Sequence, residues 1–266
     1  MRGVWIAAAG VVIAACSSRG STSAPTPVAA ASPESIDARP AREFHRIAVV
    51  GASVSAGFGG APLADVLTAA VPGATITGAA SVFMFRDAVA NGATQIDDAL
   101  RARPDLVVAI DFLFWHDYNG VDREDRLARQ ERGLADLDRA RAAGAAVIVG
   151  DVPRILTAAE LLIPTSAIPP ADDLAALNAR LREWARTRPD VLIVPFAELA
   201  GPLAAGADVE VAPGETLPAR ALMSPDGLHP NALGVWYVMS TIDRLVEAAY
   251  GVPPAAWTFA RPPPPE

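Results

Sequence analysis

Few residues in this 266-residue chain can act as a general base near neutral pH: there are three histidines and one cysteine. His45 precedes the first apolar segment, and His116 lies in an aromatic stretch. His229 follows an aspartate by three positions in Asp226-Gly227-Leu228-His229-Pro230. Across a glycine-containing turn, that aspartate can fold back onto the imidazole, hold its tautomer and stabilise its cation. Such a histidine can take the proton from a serine hydroxyl, which is otherwise a poor nucleophile. The serine best placed for this is Ser53, in Gly51-Ala52-Ser53-Val54-Ser55-Ala56-Gly57, immediately after the apolar run Ile47 to Val50. Alone, Ser53 reads as a turn serine, and Asp226 with His229 reads as a turn and capping pair. Together, at opposite ends of the foldable sequence, they read as nucleophile, base and orienter. His116 and Asp117 form a second possible acid–base pair. Adjacent residues seldom aim at one point, so these two are expected on a solvated loop.

The elements that must position these groups alternate. Short unbroken apolar runs at Ile47–Val50, Leu106–Ile110, Ala145–Val149 and Val191–Val194, with a weaker one at Ala74–Thr77, read as buried parallel strands. Between them, helical periodicity is expected over about 61–71, 86–102, 122–143 and 171–187, and a last helix over about 231–250. The order predicts an α/β fold: a three-layer α/β/α sandwich on a mostly parallel sheet. Ser53 would stand at the C-terminal end of the first strand, where open α/β sheets place their ligands. The aromatic segment Asp111-Phe112-Leu113-Phe114-Trp115-His116-Asp117-Tyr118 is expected mostly to pack in the core, or else to wall an acyl chain. Residues 195 to 230 are expected as a long loop that ends in the block carrying Asp226 and His229.

Composition sets the outer bounds. About half the residues are hydrophobic, enough for a sizeable core, and the net charge of −8 argues against a nucleic-acid partner. The glycine spacing around Gly51, Gly57, Gly59 and Gly60 is neither a dinucleotide fingerprint nor a P-loop, so no nucleotide cofactor is expected. Met1-Arg2-Gly3 followed by the apolar stretch Val4–Ala15 has the layout of a secretory signal, too short for a membrane span. Ile13-Ala14-Ala15-Cys16 resembles the lipobox of bacterial lipoproteins, which implies cleavage after residue 15 and a lipid on Cys16. As the only cysteine, Cys16 permits no intramolecular disulfide and no cysteine-based zinc site. Residues 16–43, rich in Ser, Thr, Ala and Pro, are expected as a flexible tether. The folded domain is expected over 44–251, with a Pro-rich tail at 252–266. Export and a lipid anchor would place the chain on the cell envelope, plausibly the outer membrane or cell surface.

The two blocks carrying Ser53 and Asp226/His229 resemble those of the SGNH (GDSL-type) hydrolases, over about His45 to Gly251. The resemblance implies a flavodoxin-like sandwich and a metal-free, cofactor-free serine esterase, lipase or glycan deacetylase acting on a small-molecule or glycan ester. It assigns Ser53 as nucleophile, His229 as base and Asp226 as its orienter. It also assigns the backbone N–H groups of Ser53 and Gly78 to an oxyanion hole. Two departures stand out. Ala52 occupies the position of the family's Asp, and no Asn follows the third strand at the spacing of the family's third oxyanion donor, Asn119 lying too far along. Losing one such donor costs roughly 2.7–4 kcal/mol in the transition state, which implies a slow enzyme. The alternative implied by those departures is a lipoprotein that keeps the hydrolase fold as a binding module.

Overall fold

Helices cross from strand to strand in two opposite directions, and that reversal arranges everything else. The computed structural model describes residues 42–155, 162–252 and 257–263. Residues 1–15, Cys16 and all but the end of the 16–43 tether lie outside the described residues. Five parallel strands, β1 (Arg46–Val49), β2 (Thr75–Gly78), β3 (Leu106–Ala109), β4 (Ala146–Gly150) and β5 (Val191–Val194), form one sheet in the order β2-β1-β3-β4-β5. Helix α1 (Leu63–Ala70) carries the chain from β1 outward to β2. Helices α2 (Ala88–Arg101), α4 (Arg123–Ala142) and α5 (Ala171–Arg186) carry it the other way, to β3, β4 and β5. Crossovers of one hand taken in opposite directions must lie on opposite faces. The core divides accordingly.

On one face Ala48, Val107, Ala109, Val147 and Val149 pack against Ile96, Leu134, Leu137, Leu177 and Trp184. On the other, Ile47, Val49, Val108, Ile110 and Ile148 pack against Leu63, Leu67, Met239, Ile242 and Val246, from α1 and the last helix, α7 (Ala232–Tyr250). Strand residues alternate between the two cores, and both faces are covered, which explains the unbroken apolar runs. The predicted three-layer α/β/α sandwich is the observed fold.

Three regions differ from the sequence expectation. The aromatic segment is not a loop: Phe114–Tyr118 forms the short helix α3, and His116 and Asp117 are fully buried instead of solvated. The segment 195–222 is not a plain loop either. It holds helix α6 (Phe196–Ala205) and an antiparallel hairpin, β6 (Asp208–Ala212) with β7 (Glu215–Pro218). The hairpin's signal was present, in the alternation Val209-Glu210-Val211 followed by the turn pair Pro213-Gly214. Lastly, packing continues past Gly251. Val252 and Trp257 are buried, Thr258 N–H donates to Ala70 O at 2.8 Å, and Trp236 Nε1 donates to Phe259 O at 3.2 Å. This part of the expected tail is bound to α1 and α7.

Candidate active site

The order β2-β1-β3 makes the gap beyond the C-terminal ends of β1 and β3 the switch point of the sheet, where neighbouring connections leave to opposite faces. Both connections place a functional group there. After β1 the chain turns through Gly51, at φ 145°, into a compact loop closed by Ala56 N–H to Ala52 O at 2.9 Å and Phe58 N–H to Ser53 O at 2.8 Å. A Cβ on Gly51 would lie 2.1 Å from Asp111 Oδ1, so this position admits only glycine. The side-chain amide of Gln95, buried on α2, pairs with both backbone groups of Gly51, at 2.6 and 3.0 Å.

Asp111, just beyond β3, holds the rest of the turn. Its Oδ1 accepts from Ala52 N–H at 2.9 Å and from Ser55 Oγ at 2.6 Å. Its Oδ2 accepts from Val54 N–H at 2.9 Å and Ser55 N–H at 3.2 Å. Burial raises the Asp111 pKa, against these four hydrogen bonds, each of which favours the carboxylate. A buried anion with every donor satisfied is a rigid clamp. Sequence reasoning missed Asp111 and Gln95, because each is 44 or more residues from the turn it braces.

The acid–base loop arrives from the far end of the chain. Asn231 caps α7, accepting from Gly234 N–H at 3.0 Å, while its amide donates to Ala221 O and Met223 O. Ser224 N–H donates to His229 O at 2.8 Å, closing the loop at its base. Inside it, Asp226 Oδ1 accepts from the amides of Leu228 and His229, at 2.9 and 3.0 Å, and Oδ2 lies 2.7 Å from His229 Nδ1. Partial burial raises the Asp226 pKa, but these hydrogen bonds from His229 and Leu228 prevail and hold it below the usual carboxylate range. A carboxylate only accepts, so Nδ1 carries the proton and the lone pair on Nε2 is free for a hydroxyl. His229 Nε2 stands 2.9 Å from Ser53 Oγ, across 176 positions of sequence. Phe58 lies against the imidazole, ring centroids 4.5 Å apart.

The structure therefore brings together Ser53, His229 and Asp226. The Ser53 N–H has no acceptor among the described residues. Gly78 ends β2 opposite Val49; the amides of Thr75 and Ala79 donate toward the first strand's side, to His45 O and Val49 O, so by the alternation of the strand the Gly78 amide points to the open edge of the sheet and is not brought to Ser53. Asn119 is elsewhere, its amide donating to Phe85 O at 3.0 Å. His45 is exposed near Glu43. His116 Nδ1 bonds Phe112 O at 3.0 Å, while Asp117 accepts from Gln130, so this pair does not act as one. Among the described residues no cluster of His, Cys, Asp or Glu is arranged to hold a metal ion.

No protein-family model matches the sequence, and no curated protein matches it. Solved structures do. A Bacteroides fragilis protein assigned as an acylhydrolase superposes with a TM-score of 0.52 at 18% identity, over 81% of this chain and 90% of its own. A GDSL-like lipase from Bacteroides thetaiotaomicron gives 0.49 at 16% identity, covering 77% and 87%. A catalytic mutant of an acetylxylan esterase from Geobacillus stearothermophilus gives 0.46 at 14%, covering 76% and 94%. The chain has the fold of the SGNH (GDSL-type) hydrolases.

Proposed function

We propose that this chain is a serine hydrolase that cleaves a carboxylic ester of a small molecule or glycan. One observation carries the reading: the continuous line from Asp226 through His229 to Ser53 Oγ, at 2.7 and 2.9 Å. As the Ser53 oxygen attacks the ester carbonyl, His229 Nε2 takes its proton, and Asp226 stabilises the imidazolium. Negative charge on the carbonyl oxygen is met by the N–H of Ser53. His229 then protonates the departing alcohol. Water, deprotonated by the same imidazole, releases the acid from the acyl-serine. No Asn contributes a further donor, and the rigid turn held by Asp111 keeps the Ser53 N–H aimed without one. The signal layout and Cys16 support an exported enzyme tethered by lipid to the bacterial envelope.

A fluorophosphonate probe tests the reading directly. The wild-type protein should be labelled at Ser53 and should hydrolyse short p-nitrophenyl esters, and Ser53→Ala should do neither. A Ser53→Ala protein as fast as wild type, or a wild-type protein inert to both, would sink the proposal. Radiolabelled palmitate incorporated into the wild type but not into Cys16→Ser would support the anchor.

A further inference from the structure

A cavity of about 150 Å³ opens against the nucleophile, with Ala52, Ser53 and Val54 in its wall. It runs under the C-terminal ends of β3 and β4 and is bordered by α7, the β6–β7 hairpin, the segment before the acid–base loop and, through Leu228 and Pro230, that loop itself. Ile110, Val152, Val209, Leu222 and Val238 make much of its surface. Two carboxylates border it, and neither is available to a ligand. Asp111 spends both oxygens on the nucleophile turn. Asp151 accepts from Ala197 N–H at 2.7 Å and faces Arg182 at 3.8 Å. What remains to a guest is mostly apolar wall, with the Tyr237 phenol at one side.

The direction of proton transfer says which half of an ester the cavity takes. His229 returns its proton to the leaving alcohol, so the alcohol must lie on the imidazole side of Ser53. The imidazole is not part of the cavity wall, and the nucleophile is. Resting on the serine-hydrolase reading above, we infer that this cavity holds the acyl group, and that the substrate is an ester of an apolar acid of about six carbons. A dry apolar cavity of this volume accommodates a benzene ring, about six carbon atoms. Acetate would leave most of it empty, and a dicarboxylic acyl group would bring a charge to a wall with no cationic side chain among the described residues. The hairpin and α7 set the limit on length.

The test is a chain-length series with the full chain. We expect kcat/KM on p-nitrophenyl esters to rise about fourfold per methylene from acetate. It should peak near hexanoate, on the order of a hundredfold above acetate, and gain nothing further at dodecanoate. A hemisuccinate ester should be turned over more slowly than the butyrate. Val238→Phe, which puts a ring into the cavity, should lower the hexanoate-to-acetate ratio at least tenfold. Acetate equal to or better than hexanoate would overturn the inference even if the variant did not fold, and so would an unchanged ratio in a folded Val238→Phe. If acetate is preferred while the probe still labels Ser53, only the acyl assignment fails. If no ester is cleaved and Ser53 is not labelled, both readings fall.

Discussion

At the scale of single residues the site separates groups that react from groups that aim. Asp226 is held by two backbone amides and in turn holds His229 Nδ1. Asp226→Asn should leave the loop in place yet favour the wrong imidazole tautomer, dropping kcat on p-nitrophenyl butyrate by about 10³–10⁴-fold. Asp111 aims without reacting. In Asp111→Asn, one acceptor oxygen becomes a donor facing donors, at a cost of about 1–3 kcal/mol. We expect kcat to fall at least tenfold with KM little changed, and the rate of Ser53 labelling to fall in step. A drop in thermal stability with labelling unchanged would show that Asp111 serves only the fold.

At the scale of elements, α3 is a helix of five residues forced into the core against α2 and α4. Two glycines make room for it. A Cβ at Gly92 would lie 3.0 Å from Phe112 Cζ and 3.1 Å from the His116 ring. One at Gly133 would lie 2.7 Å from Leu113 Cδ2 and 3.2 Å from the same ring. Mid-helix alanine gains about 1 kcal/mol over glycine, whereas overpacking a closed core costs about 1–3 kcal/mol. Leu113 and His116 are buried and have nowhere to move. Gly133→Ala should therefore destabilise the protein by up to about 2 kcal/mol in urea denaturation. A gain in stability would mean that α3 is loosely packed. The C-terminal segment belongs to this scale too: Trp257 packs into the core over α1 and α7. Trp257→Ala should cost about 3–5 kcal/mol, read in the same titration.

At the scale of the whole molecule, part of the acid sensitivity lies away from the site. His116 is buried between α2, α3 and α4, its Nε2 without a partner among the described residues, and burial pulls its pKa down to about 4 from 6.5. Between those values the unfolded chain binds a proton that the folded chain refuses, so stability rises with pH across this window. Acidifying from about pH 6.5 to pH 4 should cost about 3 kcal/mol through this group, with no further loss from it below. Asp243 opposes it: burial, and then Glu247, push its carboxyl up to about 6, so the folded chain gains a proton there. Comparing His116→Leu with wild type isolates the histidine, and the difference between their stabilities should change by that amount over the window. Two parallel curves would show that His116 is reached by solvent.

The sequence alone determined the layers and singled out the candidate reacting groups, because both leave local marks. Strands covered on two faces must be apolar throughout, and an aspartate three residues before a histidine across a glycine carries its geometry with it. Ser53, His229 and Asp226 were legible for that reason, as was the α/β/α order. The groups that hold the nucleophile were not. Gln95 and Asp111 act only once β1 and β3 lie side by side, and nothing near either residue announces the turn it will grip. Nor could His116 and Asp117 be placed, since two titratable residues in a row read as exposed until Gly92 and Gly133 open a space for the segment that carries them. The cavity beside Ser53 is the same kind of fact. Its walls come from β3, β4, the hairpin and α7, and a volume shared among four distant segments exists only in the folded molecule.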